Sequence, residues 1–590
     1  MLDLSRLSTE QRMAVMAPNG PLLILAGPGS GKTTVLAARI AYLVIARGVR
    51  PERVLALAFA RRAARELQDR LVGVLGARGR DVAVTTFHAW GLRLIRQHQT
   101  GLGYAPGLLA VVDGRDAQRL LVEAVGRLGL DVRPMTTPDL AAQVTRYRLL
   151  ASLDTLDPVI PRLAARYEAT LREHQAVDFA AMLNLPLHLL ETCPEVRRAW
   201  QAAYDLVLCD EGQDVCPVQY ALLKTLVEPR PNLTLVGDPS QTIFGWRGAD
   251  ARALLDFPRN FPSATTLHLH QNFRSTGRIV AAANALSQPL PTHRPVWTAH
   301  AKGDIVRLHG AADEGAEARY VADEIERLLA PDGVYQAGDI AILYRTHRQA
   351  AVLAMTLRQR GLPYHVRGRG DLLARPEVRD ALALLRLVLH PTDPLAHRYP
   401  ATSGGWLREG NGSWEAMVMA LRPVQAAAHH LPPHLLLDLA LTQSGYRAWL
   451  PDGPESEARL ESLTELRHLL QACQADGDDW LTALALGNDE LSPASAQAIT
   501  LSTIHAAKGS EWAVVFVVGL EDGVLPHARS LETEPNGTTG VDEERRLAYV
   551  AVTRPRERLY LSWRRTRRSE ADSLATQPSR FLKGLPIERA

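Results

Sequence analysis

The chain has 590 residues, 46% of them hydrophobic and 22% charged, with a formal net charge of +3. That length allows three or four compact units with cores of their own, and it excludes a small scaffold dependent on disulfides or structural metals. A charge so near zero says little about partners, which must be argued from sites. The four cysteines (Cys193, Cys209, Cys216 and Cys473) form no CxxC pair and have no histidine at zinc spacing. Small buried thiols in a reduced, cytoplasmic protein are therefore expected. The first residues lack the pattern of a signal peptide, and the apolar runs at 22–26 and 513–518 are far too short to cross a bilayer.

Residues 21–26 are apolar and bounded by turn residues, which predicts a strand. Residues 33–46 follow with Val35, Leu36, Ile40, Leu43 and Val44 at helical spacing. Residues 54–59 and 81–85 repeat the strand-then-helix pattern, which argues for a parallel, doubly wound sheet. From about 89 to 200 the sequence turns helical and rich in Leu, Ala and Arg, and strands return at 205–209 and 233–236. A second α/β region begins near Gly303, with strands at 304–309 and 340–344. Helical sequence interrupts it from about 379 to 498, and it resumes at 499–502 and 514–518. The expected division is 1–88 with 200–275, interrupted by 89–199, then 276–378 with 499–563, interrupted by 379–498. A basic tail, 564–590, closes the chain, and its run Arg564-Arg565-Thr566-Arg567-Arg568 is expected to be a solvated surface.

The first strand leads into Ala26-Gly27-Pro28-Gly29-Ser30-Gly31-Lys32-Thr33-Thr34 and then a helix. Small residues let backbone N–H groups wrap phosphates at a helix N-terminus, where the partial charge favours anions. Lys32 is set to reach the β- and γ-phosphates, and the Thr33 hydroxyl to ligate Mg²⁺. The strict pattern has Gly where this chain has Ala26. Downstream, Leu206-Val207-Leu208-Cys209-Asp210-Glu211 is an apolar strand ending in two acids. Asp210 is the expected metal carboxylate and Glu211 the base for an attacking water, which favours hydrolysis over simple binding.

Around these two elements the sequence resembles the UvrD/Rep/PcrA helicases of superfamily 1, motif after motif in the family's order. Leu7-Ser8-Thr9-Glu10-Gln11-Arg12 resembles the adenine-reading segment, and Arg39 matches a second nucleotide-side position. Leu57-Ala58-Phe59-Ala60-Arg61-Arg62 is similar to motif Ia, and Thr85-Thr86-Phe87-His88-Ala89-Trp90 to motif Ib. Asp210-Glu211-Gly212-Gln213-Asp214 resembles motif II, and Gly237-Asp238-Pro239-Ser240-Gln241 through Phe244-Gly245-Trp246-Arg247-Gly248 resembles motif III. Gln271-Asn272-Phe273-Arg274-Ser275, Thr503-Ile504-His505-Ala506-Ala507-Lys508-Gly509-Ser510-Glu511-Trp512 and Glu543-Glu544-Arg545-Arg546 through Thr553-Arg554 resemble motifs IV, V and VI. The chain departs from the pattern at Ala58 and Arg61-Arg62, at Ser510 and Trp512, and at Gly212, whose small size is expected to loosen the turn after Glu211.

The resemblance implies an α/β fold of two RecA-like parallel-sheet P-loop domains, each interrupted by a mainly helical insertion. It implies ATP and Mg²⁺ as cofactors, single-stranded DNA and single-strand/duplex junctions as partners, and no membrane. Gln241, Arg274 and Arg554 would act with Lys32, Asp210 and Glu211 in hydrolysis, while Gln11, Arg39, Phe273 and Glu511 would hold the nucleotide. Phe59, His88, Trp246, Arg247 and His505 would line a track for the strand, because bases stack on aromatic faces without sequence preference. Phe59 also ends an apolar strand, so packing in the core is nearly as good a reading. The family's travel is 3′→5′. The second insertion looks short, and the spacing of a Gly-x-Gly turn is broken near residues 399–406, so modest duplex unwinding by the protein alone is expected.

Overall fold

Short runs of Val, Leu, Ile and Ala separated by helices bury both faces of a strand, and that demand produces two parallel sheets here. The computed structural model describes residues 4–107, 109–131, 135–150, 158–228, 230–245, 248–330, 333–367, 372–391, 414–428, 430–449, 454–472, 480, 497–532, 539–568 and 573–589. The first sheet contains β1 (Leu22–Ala26), β2 (Val54–Ala58), β3 (Ala83–Thr86), β4 (Leu206–Cys209), β5 (Leu233–Gly237) and β6 (Thr265–Leu269). Their spatial order is β3-β2-β4-β5-β1-β6, every pairing parallel. Helices α1 (Thr9–Met16), α2 (Lys32–Ala46) and α3 (Arg61–Leu75) pack on it around Leu36, Ile40, Leu67 and Leu71.

The second sheet contains β7 (Arg307–Ala311), β8 (Ile340–Tyr344), β9 (Tyr364–Val366), β10 (Ile499–Thr503), β11 (Trp512–Val517), β12 (Pro555–Arg564) and β13 (Glu588–Arg589). Its order is β9-β10-β8-β11-β12-β7-β13, again all parallel. Two RecA-like sheets are thus present, as expected. Residues 1–87, 190–369 and 493–590, which carry both sheets, form one compact unit.

In the basic run, Arg565 is exposed as expected, but Arg564 departs from the expected solvated tail. Arg564 is buried, its backbone N–H and Nε donating to Glu521 at 3.1 and 2.8 Å. A buried guanidinium needs such a partner to offset lost hydration. Beyond it, β13 adds a seventh strand beside β7. Cys193 is only half-buried, unlike Cys209 and Cys216.

The other unit comprises 88–189 and 370–492 and is mainly helical. Helices Gly114–Leu128, Thr137–Leu150 and Val159–Glu173 enclose one core, and Pro376–Leu389, Trp414–Ala427, Pro433–Gln443 and Pro454–Ala472 enclose another. Asp116 joins these two halves, accepting from Arg379 at 3.4 Å and Arg386 at 3.3 Å. Residues 399–406 lie outside the described residues. Among the described residues, no helix is long and apolar enough to cross a membrane.

Candidate active site

All strands of the first sheet run the same way, so the segments after β1, β4 and β5 emerge at one edge, where α/β sheets bind ligands. After β1 the chain turns through Gly29 and Gly31, both left-handed with φ of +66° and +79°. A side chain at Gly29 would stand 2.7 Å from the Arg274 Cβ and 2.8 Å from the Asn272 amide. Glycine there permits the close approach of 272–274, whose Phe273 N–H donates to the Gly29 carbonyl at 2.8 Å. Asn272 secures the same junction, donating to the Pro28 carbonyl at 2.8 Å and accepting from the Arg274 and Ser275 amides. Ala26 needs no glycine, because it is a regular strand residue paired with Leu269.

Lys32 opens α2 and directs its Nζ back over the loop, 3.2 and 3.1 Å from the Ala26 and Gly27 carbonyls. Thr33 donates to Asp210 at 3.5 Å, so a hydroxyl and a carboxylate oxygen face the loop together. That donor set fits Mg²⁺, a hard cation that takes oxygen ligands. Burial, then the neighbouring Glu211, pushes Asp210 up to about 7, with Lys32 pulling the other way. Such a buried carboxylate is suited to a cation beside it.

Glu211 sits in the left-handed region at φ +52°, strain that a non-glycine residue accepts only where its surroundings enforce it. Burial would raise its carboxyl, but Lys32, Lys508, Gln213 and Arg554 together hold it below its ordinary value. Gln213 is the enforcing neighbour: its Nε2 donates to Glu211 while its Oε1 accepts the Asp238 N–H at 2.9 Å. Gly212 does not loosen this turn. A Cβ there would meet Leu235 at 2.8 Å and Leu254 at 2.9 Å, so neighbouring side chains already occupy the space. Gly212→Ala is accordingly expected to destabilise the protein by about 1–3 kcal/mol through overpacking. A thermal unfolding midpoint equal to the parent's would contradict that packing.

The second sheet contributes across the same site. Arg554 is 2% exposed; its Nη2 donates to Gln241 Oε1 at 3.2 Å and its Nη1 to the Ser510 carbonyl at 3.3 Å. Gln241 in turn donates to Asp238 at 2.7 Å. Arg274 donates to Glu511 at 2.5 Å and to the Thr553 carbonyl at 3.1 Å. Burial, then the nearby Arg274, lowers Arg554 to about 9. Two guanidinium groups held this close repel each other, an arrangement suited to an anion. Lys508 pairs with Asp214 at 2.5 Å, donates to the Gln241 carbonyl at 2.7 Å and lies 5.3 Å from the Phe244 ring centre.

Phe273 is 43% exposed beside the loop, so its ring is not buried in the core. Gln11 spans Ser8 and the loop: it closes a capping box with Ser8 and donates to the Ser30 carbonyl at 2.9 Å. Arg39 does not match its expected place. It is wholly buried, and its donors serve the Ala14, Val15, Ala17 and Pro18 carbonyls and Thr234. Those bonds tie the end of α1 to the sheet, so Arg39 is a structural clamp, not a nucleotide contact. Arg70, which no motif contains, donates to Thr34 at 2.8 Å.

Of the track residues, Phe59 stacks on Phe244 at 5.3 Å between ring centres, and Phe244 lies 6.2 Å from His505. Residues from both sheets thus form one aromatic row, with Phe59 half-buried and packed against the core, as its second reading anticipated. His88 belongs to the helical unit, edge-on to Phe179 at 5.6 Å. Trp246 and Arg247 lie outside the described residues. Gln213, Asn272, Asp214, Phe244 and Lys508 received no role from sequence, although all stand inside the motifs. Their signal was position in a motif, and their work is to hold other site residues.

Comparison with known proteins agrees with this geometry. The family model for the UvrD/REP helicase N-terminal domain matches residues 7–262, and that for the UvrD-like helicase C-terminal domain matches 267–412 and 446–566. The ATP-dependent DNA helicase UvrD1 of Mycobacterium tuberculosis strain H37Rv is 34% identical, over 99% of this chain and 86% of the relative. The ATP-dependent DNA helicase PcrA of Staphylococcus aureus strain MRSA252 is 30% identical, over 99% and 86% respectively.

Proposed function

This chain belongs to the UvrD/REP helicase family, and we propose that it is an ATP-dependent DNA helicase that travels 3′→5′ on single-stranded DNA. The observation that carries the motor reading is the link from Arg554, just before β12 of the second sheet, to Gln241, in the turn after β5 of the first, beside the glycine-rich loop. Hydrolysis that needs groups from both sheets can be made to depend on their approach, and that dependence drives a motor. Lys32, Arg274 and Arg554 stabilise charge on the γ-phosphate, and Glu211 orients and deprotonates the attacking water. Thr33 and Asp210 would hold Mg²⁺, which supplies further charge compensation when bound. Phe273 stacks on the base, and Phe59, His505, His88, Trp246 and Arg247 carry the strand.

The test is ATP turnover measured with single-stranded DNA and RNA, beside displacement of streptavidin from either end of a biotinylated strand. Strand-stimulated turnover with faster displacement from the 5′ end is expected. Turnover indifferent to any strand would sink the motor, and faster displacement from the 3′ end would reverse the direction. Duplex unwinding by the isolated protein should be modest beside its translocation.

Phe59→Ala is expected to weaken single-strand binding by about 1–3 kcal/mol, similarly for different base sequences. DNA-free hydrolysis should stay near the parent's. If only the melting temperature falls, with strand affinity intact, Phe59 serves the core alone.

A further inference from the structure

Motif V carries Ser510 and Trp512, and both meet one residue outside every motif. Arg367 follows β9, and its N–H extends the ladder to the Leu501 carbonyl at 2.8 Å. Its Nη1 donates to the Ser510 hydroxyl at 2.8 Å, and its guanidinium lies 5.7 Å from the Trp512 ring centre. Ser510 is buried at the end of a tight turn, its N–H donating to the Ala507 carbonyl at 3.0 Å after left-handed Gly509. The carbonyl of this same Ser510 accepts Arg554 Nη1 at 3.3 Å, while the Arg554 carbonyl accepts the Trp512 N–H at 3.3 Å. A continuous chain of bonds therefore runs from Arg367 through Ser510 and Arg554 to Gln241.

We infer that Arg367 is a positioning residue for Arg554, acting through the Ser510 hydroxyl and the Trp512 ring. The physical case is directional. Arg554 is a long side chain whose buried guanidinium must keep one orientation to donate to Gln241, and side-chain freedom opposes that. The Ser510 carbonyl fixes its Nη1, but only if the 507–510 turn is itself fixed. Arg367 does this with a charge-assisted hydrogen bond on one side and a cation–π contact on the other. An apolar residue at 510 could not receive that bond.

The inference rests on the ATPase reading above, so the test includes Lys32→Ala as a reference. Steady-state turnover with saturating single-stranded DNA is measured for the parent, Arg367→Ala, Arg367→Lys, Ser510→Ala, the Arg367/Ser510 double alanine variant, Arg554→Ala and the Arg367/Arg554 double alanine variant. Melting temperatures are recorded for all. Loss of one charge-assisted bond predicts a fall in kcat on the order of tenfold for Arg367→Ala and Ser510→Ala. Nucleotide KM should stay within about twofold, since binding does not require the finger's orientation. The Arg367/Ser510 double variant should be no worse than either single one, Arg367→Lys should recover most of the rate, and Arg367→Ala should add nothing once Arg554 is alanine. Unchanged kcat in Ser510→Ala, additive losses in either double variant, or losses that merely track melting temperature would overturn the inference while leaving the ATPase intact. Parent turnover that does not depend on Lys32 would overturn both.

Discussion

Arg554→Ala should bind ATP and yet lose on the order of 10³-fold or more in strand-stimulated turnover, as removal of an arginine finger does. The residue is buried between Gln241, Ser510, Thr553 and the Val550 carbonyl, so its guanidinium is already oriented. Preorganised charge of this kind acts mainly on the transition state, and its loss should appear in kcat more than in nucleotide affinity. Arg274→Ala should behave alike, because Arg274 reaches the same site through Glu511 and the Thr553 carbonyl. Rapid-quench turnover beside equilibrium nucleotide binding makes the distinction. Near-parental rates in either variant would mean that the two sheets do not share one hydrolytic site.

Glu211→Gln is expected to bind ATP normally and lose roughly 10²–10⁴-fold in hydrolysis, the range for a general base. Glutamine keeps a carbonyl oxygen for the Gln213 amide, so the left-handed turn should persist and the loss should be chemical. Lys32→Ala removes the ammonium that faces the Ala26 and Gly27 carbonyls and should abolish turnover together with tight phosphate binding. Phosphate release and filter binding of labelled ATP separate the two variants. Retained turnover in both would refute the assignment of this loop and acid pair.

The glycine-rich loop between strand and helix, the strand ending in two acids and most strands could be read directly. Local physics dominates there: a phosphate loop needs small residues between an apolar strand and a helix, and a buried strand needs an unbroken apolar run. Residues 499–502 and 340–344 followed that rule and became β10 and β8. β12 did not, because Arg556, Glu557 and Arg558 interrupt its apolar pattern, although its later residues enter the middle of the sheet. β6 was missed likewise, since Thr265 and Thr266 at its start are exposed. Arg39 shows the opposite failure, in which a motif match suggested a ligand contact and five hydrogen bonds gave the buried residue another task.

What the sequence alone determined is therefore the local pattern: a glycine-rich loop between a strand and a helix, a strand ending in two acids, and an ordered series of motifs that marks the family. These depend on residues close together in the chain, where spacing is itself geometry. Tertiary structure decided which side chains hold the others. Gln213 enforces the strained Glu211, Leu235 and Leu254 fill the space beside Gly212, Lys508 meets Asp214, and Arg367 braces the turn that orients Arg554. Apart from Gln213 and Glu211, those pairings join segments far apart in the chain, and only the packing of strands into sheets brings them into contact.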